Sequence, residues 1–255
     1  MRIVGVYSIK GGVGKTATAV NLAYLEALHG RRTLVWDLDP QGAATYCFRV
    51  KPHVPGGGKA LIKGRRTLDS AIKGTDFERL DLLPADFSYR HMDLALSDAK
   101  ASDKQLLRLL RPLAGDYDTV FLDCPPSIAT VSENVLRAVD ALLIPSTPTA
   151  LSLRTLHQIC KLLDKIRLDP GPRVLPFFCL VDRRRRLHLE SMQRLASEHP
   201  EFLKTAIPVC ADVERMGLYR QPLPVFAPGS PATAAYRALW AEVAQALARP
   251  PGNPH

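Results

Sequence analysis

The chain has 255 residues, 46% of them hydrophobic and 23% charged. Those proportions are ordinary for a globular protein and exclude a disordered, collagenous or coiled-coil chain. The net charge of +9 is spread along the sequence, so it is compatible with a polyanionic partner without specifying one.

Apolar runs of strand character recur at residues 3–9, 33–37, 80–83, 119–123, 141–144 and 174–181, with helical periodicity between most of them. The first run feeds Lys10-Gly11-Gly12-Val13-Gly14-Lys15-Thr16 and then an apolar helical pattern from Ala19 to Leu28 that ends at Gly30. The second runs out into Asp37-Leu38-Asp39-Pro40-Gln41-Gly42. Residues 51–66, with Pro52, Pro55, a glycine run and five cations, read as a long surface loop. The fourth run ends on Asp123-Cys124-Pro125-Pro126-Ser127. Leu153, Leu156, Ile159, Cys160, Leu163 and Ile166 mark one helix face, and Tyr236, Leu239, Trp240, Val243, Ala244 and Leu247 mark the last. This alternation predicts an α/β fold: a mainly parallel, twisted sheet with helices on both faces. We expect one domain over residues 1–249 and a frayed proline-rich tail at 250–255.

No stretch approaches the ~20 apolar residues of a membrane span. The start Met1-Arg2-Ile3-Val4 carries a charge but no apolar signal core, so a cytosolic chain is expected. The five cysteines are odd in number and lack a C-x-x-C pair, which argues against a disulfide framework and a zinc site.

The segment 10–16 carries the chemistry. Strand, glycine-rich loop, Lys-Thr and helix form the context of a phosphate loop. Glycines let successive backbone N–H groups point at phosphate oxygens, and the helix N-terminus adds partial positive charge. Lys15 is expected to reach the β- and γ-phosphates and the Thr16 hydroxyl to bind Mg²⁺. In a parallel sheet the strand-end acids converge on the same edge. Asp123 is placed to act on the Mg²⁺ shell, and Asp39 to orient or deprotonate a water near the γ-phosphate. Asp37 either shares that task or closes its strand through hydrogen bonds; the pattern favours Asp39.

Lys10-Gly-Gly-Val-Gly-Lys15-Thr16 resembles the deviant Walker A motif, with its second lysine at the start. Together with Asp-Leu-Asp-Pro-Gln-Gly and Asp-Cys-Pro-Pro-Ser it resembles the ParA/MinD family of P-loop NTPases, most closely the ParA/Soj branch, over the chain to about residue 248. The resemblance implies an ATPase with ATP and Mg²⁺ that closes into a sandwich homodimer. It implies nucleotide contacts from Lys10, Gly11, Gly12, Val13, Gly14, Lys15, Thr16, Ala17 and Pro208, with Lys10 reaching across to the partner's ATP. Lys10, Lys15 and Asp39 become the catalytic set, and Thr16, Asp39 and Asp123 the metal set. It further implies slow hydrolysis stimulated by a ParB-like or other cargo adaptor, non-specific DNA binding and a cytoplasmic, nucleoid-associated location. Cys124 matches no cluster requirement by itself, because an iron–sulfur cluster at a dimer axis needs two thiolates per subunit.

For DNA, Arg183, Arg184, Arg185 and Arg186 follow the last long strand, and Arg184 matches an arginine that contributes to DNA binding in the family. The family often carries Pro-Arg-Asn-Val-Arg after its Ile-Pro. Here the chain reads Ile207-Pro208-Val209-Cys210-Ala211-Asp212, and Arg215 and Arg220 are the cations placed to compensate. The phosphate loop starts at residue 10, so no preceding operator-binding domain is expected. The last helix has the face of a docked helix, not of a membrane anchor, so no membrane partner is expected. The alternatives are a MinD-like membrane-cycling regulator of division and an ATP-dependent ligase or synthetase acting on a small substrate.

Overall fold

The computed structural model describes residues 1–98, 104–168 and 170–248. The expected tail at 250–255, and residue 249, lie outside the described residues. Eight strands, β1 (Arg2–Val6), β2 (Thr33–Asp37), β3 (Lys73–Gly74), β4 (Leu80–Leu83), β5 (Thr119–Asp123), β6 (Ala141–Ser146), β7 (Arg173–Val181) and β8 (Ala206–Pro208), form one sheet in the order β3-β4-β2-β5-β1-β6-β7-β8. Every pair is parallel except β3–β4. The helices are α1 (Lys15–Leu28), α2 (Ala43–Cys47), α3 (Gly57–Ile62), α4 (Met92–Ser97), α5 (Gln105–Leu110), α6 (Thr130–Ala138), α7 (Ala150–Ile166), α8 (Arg186–Glu198), α9 (Ala211–Tyr219), α10 (Leu223–Phe226) and α11 (Pro231–Ala248).

The strands alternate between two buried cores. Ile3, Leu34, Trp36, Val120, Leu122, Leu142 and Phe178 face one side, where α3 to α7 pack. Val4, Val6, Val35, Phe121, Leu143 and Phe177 face the other, against α1, α2, α9, α10 and α11. Because both faces are covered, the central strands read as unbroken apolar runs without polar alternation. Among the buried polar groups the Asp123 carboxylate and the Tyr236 hydroxyl have no hydrogen-bond partner, whereas others tie elements together. Buried Glu26 of α1 accepts from the Thr119 hydroxyl at 2.8 Å and from the Trp240 indole at 3.2 Å, which pins α11 to α1 and β5.

Three expectations are corrected. β1 stops at Val6 instead of residue 9: after a last bond from the Tyr7 N–H to the Leu143 carbonyl the chain turns into the glycine loop. Residues 51–66 are not a plain loop: α3 lies inside them, and Val54, Leu61 and Ile62 are buried in the core. The short strands β3 and β8 join the sheet edges and extend the expected set.

Candidate nucleotide-binding site

Parallel strands bring their carboxyl ends to one edge, and the register there is tight. Asp123 of β5 stands level with Asp37 of β2 on one side and with Val6 of β1 on the other. The loop 7–14 leaves β1 at this edge and enters α1. Gly12 and Gly14 have φ of +71° and +93°, a region that L side chains rarely adopt. A Cβ on Gly11 or Gly12 would meet nothing within 4 Å, so the space over the loop is open. A Cβ on Gly14 would meet the Cys179 sulfur at 2.9 Å, so this glycine also sets how closely the loop approaches β7.

The two lysines of the motif have different surroundings. Lys15 is buried, and its Nζ donates to the Lys10 carbonyl at 3.3 Å, folded back across the loop. Burial lowers its pKa, and Asp123, Cys124 and Asp39 pull the other way. Lys10 is exposed at the rim. Thr16 and Ala17 are half-buried at the start of α1.

The strand-end acids also separate. Asp37 is fully buried, and its Oδ2 accepts from both the backbone N–H and the hydroxyl of Thr45, each at 2.7 Å. Its Oδ1 accepts from the Asp39 N–H at 3.2 Å. Burial raises its pKa to about 6 against those bonds. Asp37 therefore closes its strand, the second of the two roles open to it. Asp39 is half-buried, and its carboxylate caps the Gln41 N–H at 2.9 Å. Asp123 is fully buried, and neither of its oxygens has a hydrogen-bond partner. The Thr16 hydroxyl faces it without completing a bond. Burial, and then Asp37, push its pKa well above the carboxylate range.

An orphaned buried carboxylate beside a threonine hydroxyl fits a Mg²⁺ site. Mg²⁺ keeps several waters and borrows phosphate oxygens, so it needs few protein ligands. Among the described residues no group of three His, Cys, Asp or Glu side chains gathers as a metal cage. Cys124 is buried with its thiol on the Leu122 carbonyl, and burial raises its pKa further, so it is not presented at an outer surface.

Three residues of the site carried no signal in the motif spacing. Tyr7 donates to the Ser127 carbonyl at 2.7 Å and ties the loop entrance to the segment after β5. Thr45 holds Asp37. Asn21, buried on α1, accepts from the Leu223 N–H at 2.8 Å and lies 3.3 Å from the Met216 sulfur. Of the three only Asn21 was detectable, as one of two polar residues, with Glu26, inside the apolar helical pattern of residues 19–28.

The expected DNA residues fall in two groups, 183–186 after β7 and Arg215 with Arg220 on α9 and its cap. Arg183, Arg184 and Arg185 follow β7, and Arg186 opens α8; all four are exposed. Arg184 is bidentate to Asp182 at 2.9 and 3.1 Å, and Arg186 meets Glu190 at 2.6 Å. Arg183 and Arg185 make no ion pair among the described residues. Arg215 pairs with Asp212 at 3.1 Å. Arg220, half-buried, reaches across to α2. Its guanidinium is folded onto Tyr46, so it does not stand out as a surface cation beside the others. Pro208 ends β8, half-buried, at the same sheet edge as the phosphate loop.

Strand, glycine loop, buried lysine and orphaned strand-end aspartate define a P-loop nucleotide-binding ATPase. The family model described as AAA domain matches residues 1–173. The chain is 34% identical over 172 residues to the chromosome partitioning protein ParA of Myxococcus xanthus, a match that takes in 67% of this chain and 61% of that relative. It is 27% identical to the sporulation initiation inhibitor protein Soj of Bacillus subtilis, over 95% of this chain and 98% of the other. Among solved structures, cobyrinic acid a,c-diamide synthase from Mycobacterium smegmatis with a bound ATP analog and magnesium superposes with a TM-score of 0.82 at 26% identity, covering 96% of this chain and 95% of that one. The chain belongs to the ParA/MinD family of P-loop ATPases, in its ParA/Soj branch. No helix among the described residues is long and apolar enough to cross a membrane.

Proposed function

We propose that the chain is an ATP-driven positioning switch. It binds ATP with Mg²⁺, closes into a sandwich homodimer, binds DNA without sequence preference in that state, and is reset by hydrolysis that a ParB-like or other cargo adaptor stimulates. The observation that carries this reading is the division between the two lysines. Lys15 is turned inward to serve its own nucleotide, and Lys10 is exposed at the rim, free to meet the nucleotide of a facing copy. The same edge exposes Ile128, Leu151, Leu187 and Val209 from the segments after β5, β6, β7 and β8. Apolar residues gathered at one edge suit burial against a second copy.

In the mechanism, the N–H groups of residues 11–16 and Lys15 bind the phosphates. Thr16 and Asp123 would hold Mg²⁺, which would supply charge neutralisation to the bound phosphates. Asp39 orients the attacking water, and Lys10 of the facing copy adds positive charge where it develops on the transferring phosphoryl group. Arg183, Arg184, Arg185 and Arg186, flanked by Arg215, form the DNA surface. The exposed pairs of Arg184 and Arg186 are weak, so both can exchange their carboxylates for phosphates. The cargo is a chromosome, a plasmid or a protein assembly, reached through its own adaptor, and the nucleoid is the site of action.

The test is DNA association of the purified protein with ATP, with ADP and without nucleotide, over a salt series. We expect binding to unrelated sequences with ATP alone, falling steeply with salt, and none by Lys15→Ala. An ATP dimer that binds no DNA in any condition overturns the DNA reading, and co-sedimentation with liposomes would then favour the MinD-like one. ATP turnover that strictly requires a small metabolite would favour a synthetase.

A further inference from the structure

Helices α2 and α9 end in the same unusual way. Arg49, just after α2, and Arg220, the cap of α9, have φ of +59° and +53°. That left-handed region ordinarily falls to glycine or asparagine at a helix end, because an L side chain is strained there. Each arginine reaches the other helix. Arg49 Nη2 donates to the Tyr219 carbonyl at 3.0 Å, and Arg220 Nε donates to the Tyr46 carbonyl at 3.0 Å. The Arg220 guanidinium also lies 4.3 Å from the centre of the Tyr46 ring. Arg49 has one further partner, an exposed Asp76 at 3.5 Å.

The two ends of this contact lead to different parts of the site. On the α2 side, Thr45 neighbours Tyr46 and holds Asp37, which accepts the Asp39 N–H. On the α9 side, Met216 and Leu223 are fixed to Asn21 of the phosphate-loop helix. We propose that Arg49 and Arg220 form a reciprocal clasp that positions the Asp39 segment against the phosphate-loop helix, making both arginines positioning residues for ATP hydrolysis. This rests on the ATPase reading. It explains why strained arginines stand where glycine is easier: the side chain is what the position needs. It also gives Arg220 a task other than DNA contact.

Glycine tests the clasp without breaking the fold, since Arg49→Gly and Arg220→Gly remove the side chain and relieve the backbone. Arg79→Gly is the control. Arg79 also has a positive φ, +61°, and donates to a distant carbonyl, that of Gly30, away from the site. For the double variant we expect amide hydrogen exchange over residues 41–47 to quicken about tenfold with α1 unchanged. We expect kcat for basal ATP turnover to fall roughly five- to tenfold with KM little altered. Arg220→Lys, which can still donate to the Tyr46 carbonyl, should recover much of the loss in the single variant. Wild-type exchange and kcat in the double variant would overturn the proposal, as would an equal effect of Arg79→Gly or faster exchange throughout the chain. If the wild-type protein itself hydrolyses no ATP, the ATPase reading fails, and the exchange measurement alone decides whether the clasp holds the segment.

Discussion

Gly12 and Gly14 share a residue type and a backbone region but face different surroundings, and the difference is measurable. At Gly12 an alanine meets open space, so its cost is the left-handed backbone alone, about 1–2 kcal/mol. At Gly14 the same backbone cost is joined by a methyl group at 2.9 Å from the sulfur of Cys179. Cys179 is buried, and its thiol pKa is pushed up to about 12 by that burial, so it sits as a neutral, close-packed group with little room to retreat. Overpacking of this kind adds roughly 1–3 kcal/mol. Denaturant unfolding should therefore place Gly14→Ala about 2–5 kcal/mol below wild type and Gly12→Ala about 1–2 kcal/mol below it. Adding Cys179→Ala to Gly14→Ala should recover packing but not backbone strain. Equal losses for the two glycine variants would contradict the close approach of the loop to β7.

At the level of elements, the basic segment after β7 divides by pairing. Arg184 and Arg186 are held by Asp182 and Glu190, whereas Arg183 and Arg185 have no such carboxylate among the described residues. Under the DNA reading, each arginine that meets a phosphate contributes about 0.9 to the slope of log affinity against log salt. Arg183→Ala with Arg185→Ala should lower that slope by about 2 and weaken all sequences alike. Asp182→Asn should strengthen binding by freeing Arg184, and a salt series on the three proteins checks both. The family's arginine in α9 is replaced here by Asp212, which stands in the first turn, where an acid suits the helix dipole and pairs with Arg215. Much of the architecture was legible from the residues. The strands at 33–37, 80–83 and 119–123 were delimited by turn residues and buried on both faces, so apolar runs marked them well. β1 was overextended because Tyr7 and Ile9 are apolar yet lead the phosphate loop. β8, with three residues, and β3, with two, are too short to show a period. α3 was hidden by the glycines and prolines around it, although Leu61 and Ile62 are its core side. In the site, Lys15, Thr16 and Asp123 were legible because phosphate chemistry demands those types at fixed places. Thr45 and the Arg49–Arg220 clasp were not, because contacts between distant segments leave no local pattern.

For the whole molecule, the decisive property is whether the nucleotide edge is complete in one copy. A ligand that binds only the folded state stabilises it by about 2.7 kcal/mol at one hundred times its dissociation constant. For a chain of this size that is a rise of roughly 5–10 °C in Tm. A monomeric site gives the same rise at any protein concentration. A site closed by a second copy does not, because unfolding then also separates the copies, and dilution favours separation. With Mg²⁺ and a non-hydrolysable ATP analogue, we expect Tm to climb by roughly 2 °C for each tenfold increase in protein, and to be independent of concentration without nucleotide. Two variants locate the cause. Lys10→Ala removes the exposed lysine but leaves Lys15 and the loop glycines, so it should keep the larger part of the nucleotide shift and lose its concentration dependence. Ile128→Asp places a charge on the exposed segment after β5 without touching the phosphate loop, and it should behave in the same way. If both variants retain the wild-type concentration dependence, copies do not meet across this edge, and Lys10 serves its own nucleotide beside Lys15.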